Sequence, residues 1–163
     1  MKWQAYPPEA DEIIPDLFIG NATSAVKLDK YKDIPIKNSD NSVIIIDIGA
    51  IVNCTPRLEN SHEKIEYFRV PVNDRDKSES DKQKIKLYLP QATEFIHINL
   101  SEKKKVLVHC MSGITRSATV VVAYLMRYEK MTLNEAIVLV REKRPKALTN
   151  VRYIEALQEF SVN

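Results

Sequence analysis

Val106-Leu107-Val108-His109-Cys110-Met111-Ser112-Gly113-Ile114-Thr115-Arg116-Ser117 is the stretch that decides the fold. Its first three residues are apolar and two of them are β-branched, so they read as a short strand buried on both faces. Residues Ser117 to Tyr128 read as a long apolar helix. A strand, a loop and a helix in that order put the loop at the carboxyl end of a central strand. Open α/β sheets hold their ligands there.

The loop carries specific chemistry. A chain that curls around a point turns successive N–H groups inward and forms an anion nest. The helix behind it adds free N–H groups and the positive end of its dipole. Gly113 can adopt the backbone angles such a curl needs. Arg116, six positions after Cys110, can grip two oxygens of a phosphoryl group with its planar fork. All this positive potential converges on Cys110. Thiols in such surroundings ionise at about 3.5–7.5, against about 8.5 for a free cysteine. A thiolate under a phosphate cradle is a nucleophile for phosphoryl transfer. The Ser117 hydroxyl can hydrogen-bond that sulfur when it must leave again, and His109 can orient the loop through backbone groups. One His-Cys pair supplies two ligands where structural zinc takes four, so no metal site is expected.

Working outward, Met1–Pro15 is polar with three prolines and reads as an irregular lead-in. Leu17–Ile19 fits a short strand, Asn21–Tyr31 a short helix and loop, and Lys37–Ser42 a turn cluster. Val43–Ile46, Ala50–Cys54 and Tyr67–Val72 read as strands, the last with Pro71 at its end or edge. Asn73–Lys84 is highly polar and reads as an exposed loop. Ile85, Leu89, Ala92 and Ile96 recur at helical spacing, with a helix that begins near Pro90 or kinks there. Thr132-Leu133-Asn134-Glu135 is a capping box for a helix to about Lys143, closed by Arg144-Pro145. A last helix spans Val151–Phe160, capped by Thr149 or Asn150. Strands, then alternating strands and helices, then helices alone, imply an α/β or α+β sheet flanked by helices.

Composition bounds the rest. The chain has 163 residues, 44% hydrophobic and 28% charged, with a net charge of +2. That suits one folded domain, and it lacks the strong basic excess of a dedicated nucleic-acid binder. No apolar run approaches the roughly 20 residues that span a bilayer, and no apolar leader follows Met1. Two cysteines make no disulfide framework. The expectation is a monomer with reduced thiols in the cytoplasm or nucleus, with neither nucleic acid nor membrane as partner.

His109-Cys110-x5-Arg116-Ser117, preceded by Val-Leu-Val and followed by Ala123-Tyr124-Leu125-Met126, resembles the dual-specificity protein phosphatases, in particular the catalytic domain of the MAP-kinase-phosphatase type. Asn53-Cys54-Thr55-Pro56, Val70-Pro71-Val72-Asn73-Asp74 and Leu89-Pro90-Gln91-Ala92 with Phe95-Ile96 are similar to successive segments of that family. So are Leu17–Gly20 at the start, and Asn150 with Leu157 at the end. The resemblance implies a cysteine-phosphatase fold, a central, mostly parallel mixed sheet flanked by helices, with residues 1–163 as one atypical, single-domain member. It implies Cys110 as nucleophile, Arg116 as phosphate clamp, Ser117 as aid to the leaving thiolate and Asp74 as general acid. The loop residues Met111, Ser112, Gly113, Ile114 and Thr115 would bind substrate. No cofactor is implied, and the partner would be a phosphorylated protein, a kinase being one candidate.

A strand end positions Asp74, whereas Asp76, Glu79 and Asp81 read as solvated loop charges. Two departures from the family pattern stand out. The stretch from Asp74 to Ile85 is longer than in compact members, which keeps Asp76 as second candidate for the acid. Lys32–Ser42 reads as an insertion without an assigned role. The uncharged variable positions of the loop argue against a polyanionic substrate, because relatives acting on inositol phospholipids carry lysines there. Lys103–Lys105 reads as a solvated turn on the far edge of the sheet, and Arg141–Lys146 as a solvated helix end. Cys54 reads either as an inert core thiol or as a redox partner of Cys110. Two alternatives stay open, a phosphoprotein-binding module without turnover and a phosphoinositide or RNA phosphatase.

Overall fold

The computed structural model describes residues 7–27, 36–44, 47–74, 78–148 and 150–160. Strands β1 (Ala10–Ile14) and β2 (Leu17–Gly20) are followed by helix α1 (Ala22–Lys27). Strands β3 (Ile36–Lys37) and β4 (Val43–Ile44) pair with each other as a separate antiparallel hairpin. Then come β5 (Ile48–Asn53), β6 (Glu66–Arg69), helix α2 (Glu79–Ser101), β7 (Lys105–His109) and helices α3 (Arg116–Tyr128), α4 (Leu133–Lys143) and α5 (Val151–Glu159). The main sheet has the order β1-β2-β7-β5-β6, parallel throughout except for β1.

The alternation of side chains explains why β7 is central. Leu17 pairs with Val106 and Ile19 with Val108 on one side, and Ala50 and Val52 pair with the same two valines on the other. All six lie in the large core packed under the helices. Phe18, Leu107 and Ile51 are also in register, and they form the smaller core on the opposite face. A parallel sheet covered on both faces needs apolar residues without alternation, and Val-Leu-Val meets that need. The same register brings Gly20, Asn53, Arg69 and His109 level with one another. Four parallel strands therefore end along one edge, and Cys110 is the next residue out.

Helix α3 is buried from Arg116 through Leu125: its polar residues Arg116, Ser117 and Thr119 lie in the first turn, and the run Val120–Leu125 is apolar save for the Tyr124 hydroxyl. Helix α2 presents Ile85, Leu89, Ala92 and Ile96 to the core. It begins at Glu79, not near Pro90, because Ser78 caps it by accepting from the Asp81 N–H at 3.1 Å. The exposed loop expected over Asn73–Lys84 is therefore much shorter, and Glu79 and Asp81 are helical. Pro90 cannot donate to the Lys86 carbonyl, a defect worth about 3 kcal/mol in a helix interior. The helix runs through it, and the Pro90 carbonyl is held by Arg127 Nη1 at 2.8 Å and Thr93 Oγ1 at 3.0 Å.

The irregular lead-in is also corrected, because β1 lies inside it and pairs antiparallel with β2. Of the strand expected over Val43–Ile46, Val43 and Ile44 belong to the small hairpin; Ile45, Ile46 and the stretch from Lys32 to Pro35 lie outside the described residues. The capping box at Thr132 is present, with the Thr132 hydroxyl and the Glu135 carboxylate each accepting from the other's backbone N–H. Asn150 caps α5. Among the described residues no helix is long and apolar enough to cross a membrane.

Candidate active site

Between β7 and α3 the chain curls with its carbonyls outward. Met111 O accepts from the Ala22 N–H at 3.0 Å, Ile114 O from the Leu148 N–H at 2.8 Å and Thr115 O from the Thr119 N–H and hydroxyl. Ser112 O and Gly113 O both accept from the Arg144 guanidinium. A planar peptide whose C=O points out carries its N–H inward. The N–H groups of residues 112–116 are thereby turned toward the centre of the curl, an anion nest at a helix N-terminus. Gly113 makes the turn with φ +70°, and a Cβ there would sit 2.5 Å from the Gly20 carbonyl oxygen. Both the backbone angle and the close approach to β2 demand glycine.

Cys110 lies at the bottom and is 1% exposed. Burial pushes its thiol pKa up. The Arg116 guanidinium, the Ser117 hydroxyl and N–H, and the Gly113 N–H outweigh burial, and the net shift is downward. The Gly113 N–H reaches Sγ at 3.2 Å and Ser117 Oγ lies 3.3 Å from it. Arg116 is buried with Nη1 donating to Val72 O at 2.7 Å, while its Nε has no partner among the described residues. A guanidinium fixed at one corner with a buried donor left over is prepared for an oxyanion. Cys110, Arg116 and Ser117 are thus brought together.

Asp74 follows the Val72 carbonyl that holds Arg116, and Asn150 Nδ2 donates to its Oδ1 at 2.8 Å. Tyr153 donates to Asn73 O at 2.6 Å. Burial, Asp74 and Cys110 all push the Tyr153 hydroxyl far above its ordinary value, so it stays a donor. Helix α5 and its cap therefore hold the segment that carries Asp74 through two side chains. Asp76 lies outside the described residues.

Sequence reasoning missed Tyr153 and Arg144, and it gave Asn150 only a capping role. Arg144 corrects the expectation of a solvated helix end, being 5% exposed and bonded to the loop. Arg141 stays exposed, as expected, while donating to the Ala147 and Leu148 carbonyls. The proline after Arg144 was the one local signal that the chain turns back there. Lys104 bridges Glu66 and Glu102, on the edge where β7 begins. Cys54 is fully buried after β5, and burial together with Cys110 pushes its thiol well up.

His109 is buried and uncharged, its Nδ1 3.1 Å from the Cys110 carbonyl oxygen. Burial lowers its pKa from 6.5 to about 4, with Arg116 and Arg69 adding to the shift against the Cys110 contact. The unfolded chain takes this proton near pH 6.5, and the folded protein only near about 4. Stability complete above that window is lost as pH falls through it, by about 3 kcal/mol. His109→Asn is expected to remove that part of the acid sensitivity, read from urea unfolding at a series of pH values.

A family model described as "Dual specificity phosphatase, catalytic domain" matches residues 21–163. The chain belongs to the dual specificity phosphatase family. It is 34% identical to human dual specificity protein phosphatase 9 over 152 residues, 91% of this chain and 35% of that protein. It is 33% identical to dual specificity protein phosphatase Mpk3 of Drosophila melanogaster over 153 residues, 91% of this chain and 33% of the fly protein. The chain thus spans about a third of the length of these curated relatives. Human DUSP28 shares its fold with a TM-score of 0.75 and 25% identity, covering 95% of this chain and 94% of the other. Family membership agrees with the mostly parallel sheet and flanking helices expected from the sequence.

Proposed function

We propose that this dual specificity phosphatase chain hydrolyses phosphate esters of tyrosine, serine and threonine on proteins through a cysteinyl-phosphate. The observation that carries the reading is the buried Cys110 sulfur, held by the Gly113 N–H and Ser117 hydroxyl beside an arginine whose buried Nε has no partner among the described residues. The thiolate attacks phosphorus in line, forming an S–P bond as the P–O bond to the side chain breaks. The N–H groups of the loop from Ser112 to Arg116 and the Arg116 fork hold the equatorial oxygens. Asp74 gives its proton to the departing oxygen. Water then attacks phosphorus with Asp74 taking its proton, the S–P bond breaks, and the Ser117 hydroxyl supports the returning thiolate. Positioning and fixed dipoles supply most of the acceleration.

The uncharged side chains at Met111, Ser112, Ile114 and Thr115 favour a protein substrate over a polyanionic lipid headgroup. Phosphate release should be measured from a phosphotyrosine peptide, a phosphothreonine peptide and a short-chain inositol phospholipid. Release from both peptides and little from the lipid is expected. Faster release from the lipid would overturn the substrate class, and tight peptide binding without release would replace the enzyme by a binding module.

A further inference from the structure

The outer side of the phosphate-binding loop rests on a chain of polar contacts that ends far from Cys110. Arg144 leaves α4 and gives Nε to Gly113 O and Nη2 to Ser112 O at 3.0 Å. Its Nη1 donates to Asp11 Oδ2 at 2.7 Å, and the more exposed Glu9 carboxylate lies 3.5 Å from Nη2. Asp11 belongs to β1 and is 3% exposed. Ser39, in the turn before β4, donates its N–H to Asp11 Oδ1 at 2.6 Å and its hydroxyl to Oδ2 at 2.8 Å. Contacts run from Ser39 to Asp11, to Arg144 and so to the loop.

The charges explain what this chain is for. Arg144 holds two neutral carbonyls, which cannot compensate a buried cation. Asp11 supplies the compensating charge. With an uncharged residue there, the guanidinium gains by turning toward water or Glu9, and the two loop carbonyls lose their donor. Gly113 is the residue whose N–H supports the Cys110 sulfur, so its placement is felt at the nucleophile.

We propose that Asp11 is a positioning residue of the phosphate-binding loop, acting through Arg144, and that Ser39 sets how firmly Asp11 holds. This gives a role to the part of the Lys32–Ser42 segment that carries Ser39. The inference rests on Cys110 and Arg116 being the reacting centre.

The test compares wild type, Asp11→Asn, Asp11→Glu and Ser39→Ala in turnover of a phenyl phosphate ester and in the pH dependence of Cys110 alkylation by iodoacetamide. Asp11→Asn is expected to lower kcat/KM by about 10- to 100-fold and to move the alkylation midpoint to higher pH. Asp11→Glu, which keeps the charge, should recover part of both. Ser39→Ala should move both in the same direction, with kcat/KM down about two- to tenfold. A change confined to fold stability would leave the midpoint of the folded protein where it was. Folded Asp11→Asn with wild-type kcat/KM and midpoint overturns the proposal. If Asp11→Asn does not fold, Ser39→Ala decides, a shifted midpoint supporting the proposal and an unshifted one overturning it. Wild type without turnover would sink the phosphatase reading alone, because alkylation reports on the loop independently of turnover.

Discussion

Cys110→Ser is expected to abolish measurable turnover, a loss of about 10⁴- to 10⁶-fold in kcat. Acidity is the reason. The guanidinium and hydrogen-bond donors around Sγ lower a thiol that starts within reach of neutral pH. A serine hydroxyl starts many units higher, and the same donors cannot make it an anion. The substitution removes no cradle group, since the loop carbonyls remain tied to Ala22, Arg144, Leu148 and Thr119. The variant should therefore still bind a phosphotyrosine peptide while releasing no phosphate. Surface plasmon resonance beside a phosphate-release assay separates the two. Turnover by the serine variant within a hundredfold of wild type would mean that another group attacks phosphorus.

Asp74→Asn should slow kcat by about 10²- to 10⁴-fold, the usual contribution of a general acid. The size should depend on the leaving group. An aryl oxide with electron-withdrawing substituents departs without a proton, whereas the alkoxide of serine or threonine does not. The deficit should accordingly be small with a nitrophenyl ester and largest with a phosphothreonine peptide. Asn150 holds Asp74 by a single 2.8 Å contact, and an asparagine substituted at position 74 can still accept there, so geometry is kept while the proton is lost. Asp76→Asn is the companion variant and should stay near wild type. If Asp76→Asn instead shows the leaving-group dependence, the acid is Asp76.

Much of the site was legible because its determinants are local. Val106–Val108 could be read as central because both faces of β7 are buried, and cysteine, glycine and arginine fall within seven residues. The Thr132 and Asn150 caps involve residues two or three positions apart. What escaped depends on contacts between distant parts of the chain. Arg144 and Asp11 are 133 positions apart, and Tyr153 meets Asn73 across 80. β1 was hidden because an aspartate occupies one of its buried positions, where alternation predicts an apolar side chain. The start of α2 had a usable signal, Ser78 three residues before Asp81. The surrounding run of charged residues obscured it, because the exposed faces of a first turn have the composition of a loop.

The separation of Arg144 from Asp11 also orders events during synthesis. A ribosome that has released the sheet and the cysteine has still to add the guanidinium that ties down Ser112 and Gly113, the Leu148 N–H that holds Ile114, and the α5 side chains behind Asp74. A growing polypeptide thus carries its reactive sulfur in an unfinished cradle until Arg144, Leu148 and α5 have emerged, so acquisition of activity serves as a check that these later segments have docked on the loop.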